Sequence, residues 1–260
     1  MSNFASGYIK YINHLEQIND GSINSPEKMI HEIEDSYHEH LRNISRNIYE
    51  SHKGVKIIML AGHSSSGKTT TAHLLQHYLR TFDIKSTIIS MDNFYRGRDM
   101  APLLPDGTRN YESVEALHID KLKLCLKSLI NTGTFSLPVY NFLLGRPEDN
   151  EIEHTLSDNE IIIIEGIHAL NPIFTSDISE QNVVKLYVSV KQMIKDANGE
   201  VISPLDIRLV RRIVRDMRER DTVPSKTLYM WPTVIDGENS YIRPYRISAD
   251  YTVNSIHIYE

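Results

Sequence analysis

An α/β fold, a mostly parallel sheet flanked by helices, is predicted by three observations. Short apolar runs alternate with helical segments from residue 55 onward, a glycine-rich loop joins one such run to one such helix, and acidic residues stand where other runs end. Strands that alternate with helices form βαβ units, and those units build parallel sheets. The chain of 260 residues has room for one such domain with an appendage.

The elements follow in order. Residues 1–54 read as a helical arm. Phe4, Tyr8, Ile12 and Leu15 recur at helical spacing, and Asn19-Asp20-Gly21 reads as a stop. A second helix begins at Ser25-Pro26, a capping residue followed by proline. Its stripe of Met29, Ile33, Tyr37, Leu41, Ile44 and Ile48 ends near Gly54 and is expected to pack on the body or on a partner subunit. The body, residues 55–260, opens with a strand at 55–60 and a helix at 68–82. A strand at 87–90, a helix at 119–130, strands at 161–164 and 183–190, a helix at 206–220 and a late strand at 251–254 complete it.

Bulk properties narrow the function. The net charge of −6 argues against a chain that coats nucleic acid. No apolar run is long enough for a membrane span, and the amino terminus lacks a signal pattern. The single cysteine, Cys125, forms no internal disulfide, so the cytoplasm is the expected compartment. Twelve histidines include His38-Glu39-His40 and His73/His77, yet none has metal-site spacing.

The loop is Gly62-His63-Ser64-Ser65-Ser66-Gly67-Lys68-Thr69, followed by Thr70, and it fits GxxxxGK[ST] between a strand and a helix. Glycines let the backbone curl so that its N–H groups face phosphate oxygens, and the helix amino terminus adds positive potential. Lys68 is placed to reach the β- and γ-phosphates of ATP, and Thr69 to ligate Mg²⁺. Asp92 and Glu165 each follow a strand. If both strands flank the loop strand, one acid helps hold the metal and the other takes the proton of an attacking hydroxyl. On the helix at 206–220, Arg208, Arg211, Arg212, Arg215 and Arg218 share one half of the wheel, and Ile207, Val210, Ile213, Val214 and Met217 share the other. A lid over the transferring phosphoryl group, spanning about 206–222, is the reading. Its basic face is expected to lack carboxylate partners when the site is empty.

Seven segments in order carry a resemblance: GHSSSGKTT (62–70), SMDNFYR (90–96), NYESVEAL (110–117), LPVYNF (137–142), IIEGIHAL (163–170), RLVRRIVRDMRER (208–220) and SADYTVNS (248–255). The chain resembles the uridine kinase and phosphoribulokinase family of P-loop kinases, and within it the uridine kinase-like nucleoside kinases. The resemblance implies a P-loop NTPase-type sheet and ATP- and Mg²⁺-dependent phosphorylation of a nucleoside 5′-hydroxyl. It implies Asp92 as general base, with Thr69 and Glu165 at the metal. It places Tyr95, Glu112, Tyr140 and Arg212 at the nucleoside, with Glu112 on the ribose and Tyr140 near the base. Arg212 also reaches the transferring phosphate, Arg215 and Arg220 clamp ATP, and Asp250 lies in the segment passing the adenine.

The family pattern is broken in places. Leu143-Leu144-Gly145-Arg146 lacks the histidine that reads a pyrimidine, a glutamine after the lid is replaced near Met230-Trp231, and Asp221-Thr222 stands where an arginine is usual. Base recognition is then either looser or shifted, or backbone groups or Arg146 replace the missing contacts and uridine remains the sole good substrate. A kinase of pantothenate or a sugar phosphate and a nucleotide-binding regulatory protein are the alternatives. The sequence leaves a homo-oligomer open.

Overall fold

The structure, a computed structural model, describes residues 12–260. The amino-terminal part comprises β1 (Ile12–His14), α1 (Leu15–Asn24) and α2 (Pro26–Ser51). Next come β2 (Ile57–Gly62), α3 (Lys68–Arg80), β3 (Lys85–Ser90) and α4 (Ile119–Thr132). The hairpin strands β4 (Thr134–Asn141) and β5 (Arg146–Thr155) precede β6 (Glu160–Glu165) and β7 (Val183–Ser189). A small hairpin, β8 (Met193–Lys195) and β9 (Val201–Ile202), leads into α5 (Pro204–Glu219) and α6 (Pro224–Tyr241), and β10 (Tyr251–Asn254) closes the fold.

The main sheet has the order β10-β7-β2-β6-β3 with every pairing parallel. β2 is buried along its whole length because helices cover both faces, which is why its sequence is a continuous apolar run. Its side chains alternate between two cores. Ile57 and Met59 face Leu122, Leu126 and Leu129 of α4 on one side. Ile58 and Leu60 face Leu75 and Leu79 of α3 on the other, with Leu41, Ile44 and Ile48 of α2. β6 flanks β2 as the motif reading requires, but β3 does not: it lies one strand further out, beside β6.

The helical arm packs on the body along the stripe its sequence predicts, and α2 shares one core with α3 and the sheet. Phe4 and Tyr8 lie outside the described residues. Two details differ from expectation. Residues 12–14 form a strand rather than helix, because the exposed edge of β8 offers it parallel hydrogen-bond partners. The helix also runs through Asn19-Asp20-Gly21 to Asn24. Gly21 serves there as a point of close approach, since a Cβ on it would come 2.8 Å from the sulfur of Met29.

The hairpins β4–β5 and β8–β9 and the helix α6 carry no strong sequence period. α6 even contains Pro232. α5 begins two residues earlier than expected. Ser203 and Asp206 form a capping box, with Ser203 Oγ accepting from the Asp206 N–H at 3.3 Å and Asp206 Oδ2 accepting from the Ser203 N–H at 2.8 Å. Among the described residues no helix is long and apolar enough to cross a membrane.

Candidate active site

The phosphate loop sits at the carboxyl end of the central strand, where parallel sheets place their ligands. Gly62 is required by proximity: a Cβ there would lie 2.3 Å from the carbonyl oxygen of Val188 on β7. Gly67 has φ +84° and Ser65 φ +57°, the left-handed turns that curl the backbone on itself. Lys68 Nζ donates to the His63 carbonyl at 3.1 Å. Ser255, just past β10, donates its hydroxyl to the Ser66 carbonyl at 2.5 Å and fixes the loop from outside. Thr69 and Thr70 are exposed at the start of α3, open to an incoming ligand.

Two carboxylates face this loop. Glu165 ends β6, in register with Leu60 of β2 on one side and Ser90 of β3 on the other. Asp92 lies on the 3-10 turn Met91–Phe94, where Ser90 Oγ accepts from its N–H at 3.3 Å. That turn carries Asp92 inward and makes up for the outer position of β3. Burial raises the pKa of both acids, opposed in each case first by the charge of Lys68. Burial in turn lowers Lys68, opposed by Glu165 and Asp92. These groups therefore form one electrostatic cluster, which Arg215 joins from α5. Among the described residues no group of three or more His, Cys, Asp or Glu could hold a metal by itself. Two carboxylates and the Thr69 hydroxyl are hard oxygen donors that fit Mg²⁺, which keeps water and phosphate oxygens as its other ligands.

The acceptor side is built on loops. Glu112 approaches α6 at Gly237, where a Cβ would lie 2.3 Å from the Glu112 Cβ. Burial raises its pKa to about 7, opposed chiefly by Arg212. Tyr95 donates its hydroxyl to the Tyr111 carbonyl at 3.1 Å, and its ring centroid lies 6.0 Å from that of Tyr140. Tyr140 in turn meets Phe142 edge-on at 5.0 Å. Leu143 and Leu144 point away, 93% and 63% exposed. Arg98 takes up the hairpin tip instead. Its Nη2 donates to the Phe142 carbonyl at 2.7 Å, and its charge opposes the burial that raises Tyr140. Arg98 carries no motif of its own, so the sequence does not single it out.

The arginines of α5 are not without carboxylate partners, contrary to the expectation for an empty site. Arg212 Nε lies 3.4 Å from Asp216 Oδ2, and Arg215 Nη2 donates to Asp216 Oδ1 at 2.7 Å. Arg220 is 3.9 Å from the same carboxylate, and Arg211 pairs with Glu260. Asp216 is a residue that wheel analysis passes over. Burial would raise its pKa, but Arg215, Arg212 and Arg220 together hold it below the ordinary range. Arg215 Nη1 also reaches Ser64 Oγ of the phosphate loop at 3.3 Å. The buried side of α5 is the charged one, Arg208, Arg212 and Asp216, while Val210 and Met217 are 61% and 54% exposed.

One residue is not brought to the site. Asp250 precedes β10 and accepts from the Lys185 N–H at 2.8 Å. The four strand residues after it put about 13 Å between it and the loop end of the sheet. The segment beside the loop is instead the one just after β10, around Ser255. Trp231 has its ring 5.5 Å from the Arg208 guanidinium.

Comparison with known proteins agrees with this architecture. Residues 57–259 match the model of the phosphoribulokinase / uridine kinase family. A uridine kinase of Lactobacillus helveticus is 32% identical over 201 residues, covering 76% of this chain and 85% of the relative. One from Psychromonas ingrahamii is 31% identical over 205 residues, 77% and 88% of the two chains. The phosphoribulokinase structure from Rhodobacter spheroides shares the fold, with a TM-score of 0.53 at 19% identity over 80% of this chain and 74% of that one. With a P-loop, two acids and an arginine helix converging at one end of a parallel sheet, the chain is a kinase and belongs to the phosphoribulokinase / uridine kinase family.

Proposed function

We propose that this kinase uses ATP and Mg²⁺ to phosphorylate the 5′-hydroxyl of a nucleoside, uridine-type before others. The observation that carries the reading is the placement of Glu112, a half-buried carboxylate within the electrostatic reach of Arg212, Lys68 and Asp92. A carboxylate there suits the paired hydroxyls of a ribose, and the rings of Tyr95, Tyr140 and Phe142 suit a stacked base.

In this reading Asp92 accepts the proton of the acceptor hydroxyl as its oxygen bonds to the γ-phosphorus. The bond from that phosphorus to the β–γ bridging oxygen breaks, and ADP departs. Lys68, Arg212 and Arg215 stabilise charge on the phosphoryl oxygens. Thr69 and Glu165, with Asp92 beside them, would hold Mg²⁺, which when bound would supply neutralisation of phosphate charge. Names borne by relatives at about a third identity support uridine as the first acceptor to try.

A panel of ribonucleosides, 2′-deoxynucleosides, pantothenate and sugar phosphates with ATP and Mg²⁺ tests this. Ribonucleosides are expected to react, with 2′-deoxy analogues weaker in kcat/KM. Because ionised Glu112 is the stronger acceptor of hydroxyl hydrogen bonds, the nucleoside KM is expected to fall as pH rises through about 7. Turnover of pantothenate or a sugar phosphate alone would transfer the assignment to that acceptor.

A further inference from the structure

Phosphate loop and lid helix meet at a carboxylate that no motif marks. Glu238 on α6 and Arg208 on α5 are each 2% exposed. Arg208 Nη1 donates to Glu238 Oε2 at 2.9 Å, and its Nη2 donates to Oε1 to complete a two-pronged pair. The guanidinium lies over the ring of Trp231, also on α6, and its Nε donates to the Ser64 carbonyl of the phosphate loop at 3.2 Å. His63 Nδ1 stands 3.3 Å from Glu238 Oε2, and His63 Nε2 lies 2.6 Å from the Tyr187 hydroxyl on β7. Burial first, then the charges of Arg208 and Lys68, hold His63 well below its usual pKa.

A buried ion pair is a poor source of stability, because desolvation offsets most of the attraction. A forked pair does fix orientation, however, and here the orientation bears on the loop. In a trans peptide the C=O and the N–H of one unit point in opposite directions. Arg208 draws the Ser64 carbonyl towards α5, so the Ser65 N–H of the same unit is turned the other way, away from α5. Glu238 in turn keeps Arg208 from rotating out of that contact. On the kinase reading above, this is the peptide unit that meets phosphate.

We propose that Glu238 is a positioning residue for the nucleotide: acting through Arg208, it aims the Ser64–Ser65 peptide of the phosphate loop and pins the first half of α5 against it. Arg215 and Arg218 in the second half, and Arg220 just past its end, depend only on Asp216, Ser64 Oγ and solvent among the contacts described, and are left to adjust to substrate.

The test is Glu238→Gln beside the double variant Arg208→Met/Glu238→Gln, which removes both buried charges together. Thermal unfolding, calorimetric affinity for a non-hydrolysable ATP analogue, and KM for ATP and for the nucleoside are measured on each. Both variants are expected to weaken nucleotide affinity by about tenfold or more, the worth of one charge-assisted hydrogen bond. The nucleoside KM at saturating ATP is expected to move by less than about twofold. Should Glu238→Gln fail to fold, the double variant decides. A folded variant with wild-type nucleotide affinity overturns the proposal, as does an equal rise in both KM values, which would make Glu238 a general structural residue. Wild-type protein that binds no nucleotide would overturn the kinase reading, and this proposal with it.

Discussion

The helices α2 and α5 are both amphipathic, and the structure uses them in opposite senses. α2 buries its apolar stripe, Tyr37, Leu41, Ile44 and Ile48, against α3 and the sheet. α5 buries Arg208, Arg212 and Asp216 and leaves Val210, Val214 and Met217 largely exposed. An apolar face turned inward releases water and adds stability. A charged face turned inward costs desolvation and is kept where the charge is needed. The comparison teaches that a helical wheel identifies which residues share a face, while the neighbours decide which face goes inside.

The largest expected effect falls on the buried face of α5. Arg212→Ala is expected to lower turnover by roughly 10³-fold, the lower range for an arginine that stabilises a transferring phosphoryl group. Its thermal unfolding should stay close to wild type, because Glu112, already raised to about 7, takes up a proton once its main cationic neighbour is gone. Steady-state kinetics beside a melting curve checks both. A variant that melts early yet turns over normally would make α5 a structural helix like α2.

The matching change in α2 has the reverse signature. Leu41→Ala removes a fully buried side chain and is expected to cost about 2–5 kcal/mol of stability. Denaturant unfolding reads the loss, and kcat per folded molecule should remain that of wild type. A fall in kcat at full folding would tie the arm to the chemistry and blur the contrast.

The smallest effect belongs to the outer face of α5. Val214→Gln alters a side chain that is 43% exposed and is expected to change stability by no more than about 0.5 kcal/mol. Kinetic constants should not change. A large loss of stability would mean that this face is covered in solution, which size measurement of both proteins would then reveal.

Much of this was legible because its physics is local. A glycine-rich loop with Lys68 and Thr69 announces phosphate wherever it joins a strand to a helix, and β2 and α3 supply that setting. Strands β6 and β7 show themselves as continuous apolar runs because both sheet faces are covered. The hairpin β4–β5 did not, since its second strand, RPEDNEIEHT, is mostly exposed and polar on both sides. Helix α6 was hidden by Pro232 and by a polar, buried Glu238 that breaks the apolar period.

What the sequence by itself determined is the family, the phosphate loop between β2 and α3, and the residues that share each helical face. Tertiary structure alone decided that α5 turns Arg208 and Arg212 inward, that Glu238 and Asp216 receive them, and that β3 stands one strand away from β2. It also left Asp250 at the far end of β10 and brought Ser255 to the loop. The reason is one of range. Motifs and periods reflect neighbours within a few residues along the chain, whereas Arg208 and Glu238, 30 positions apart, meet only because two helices pack. Burial of a charge is a property of that meeting, and no single segment carries it.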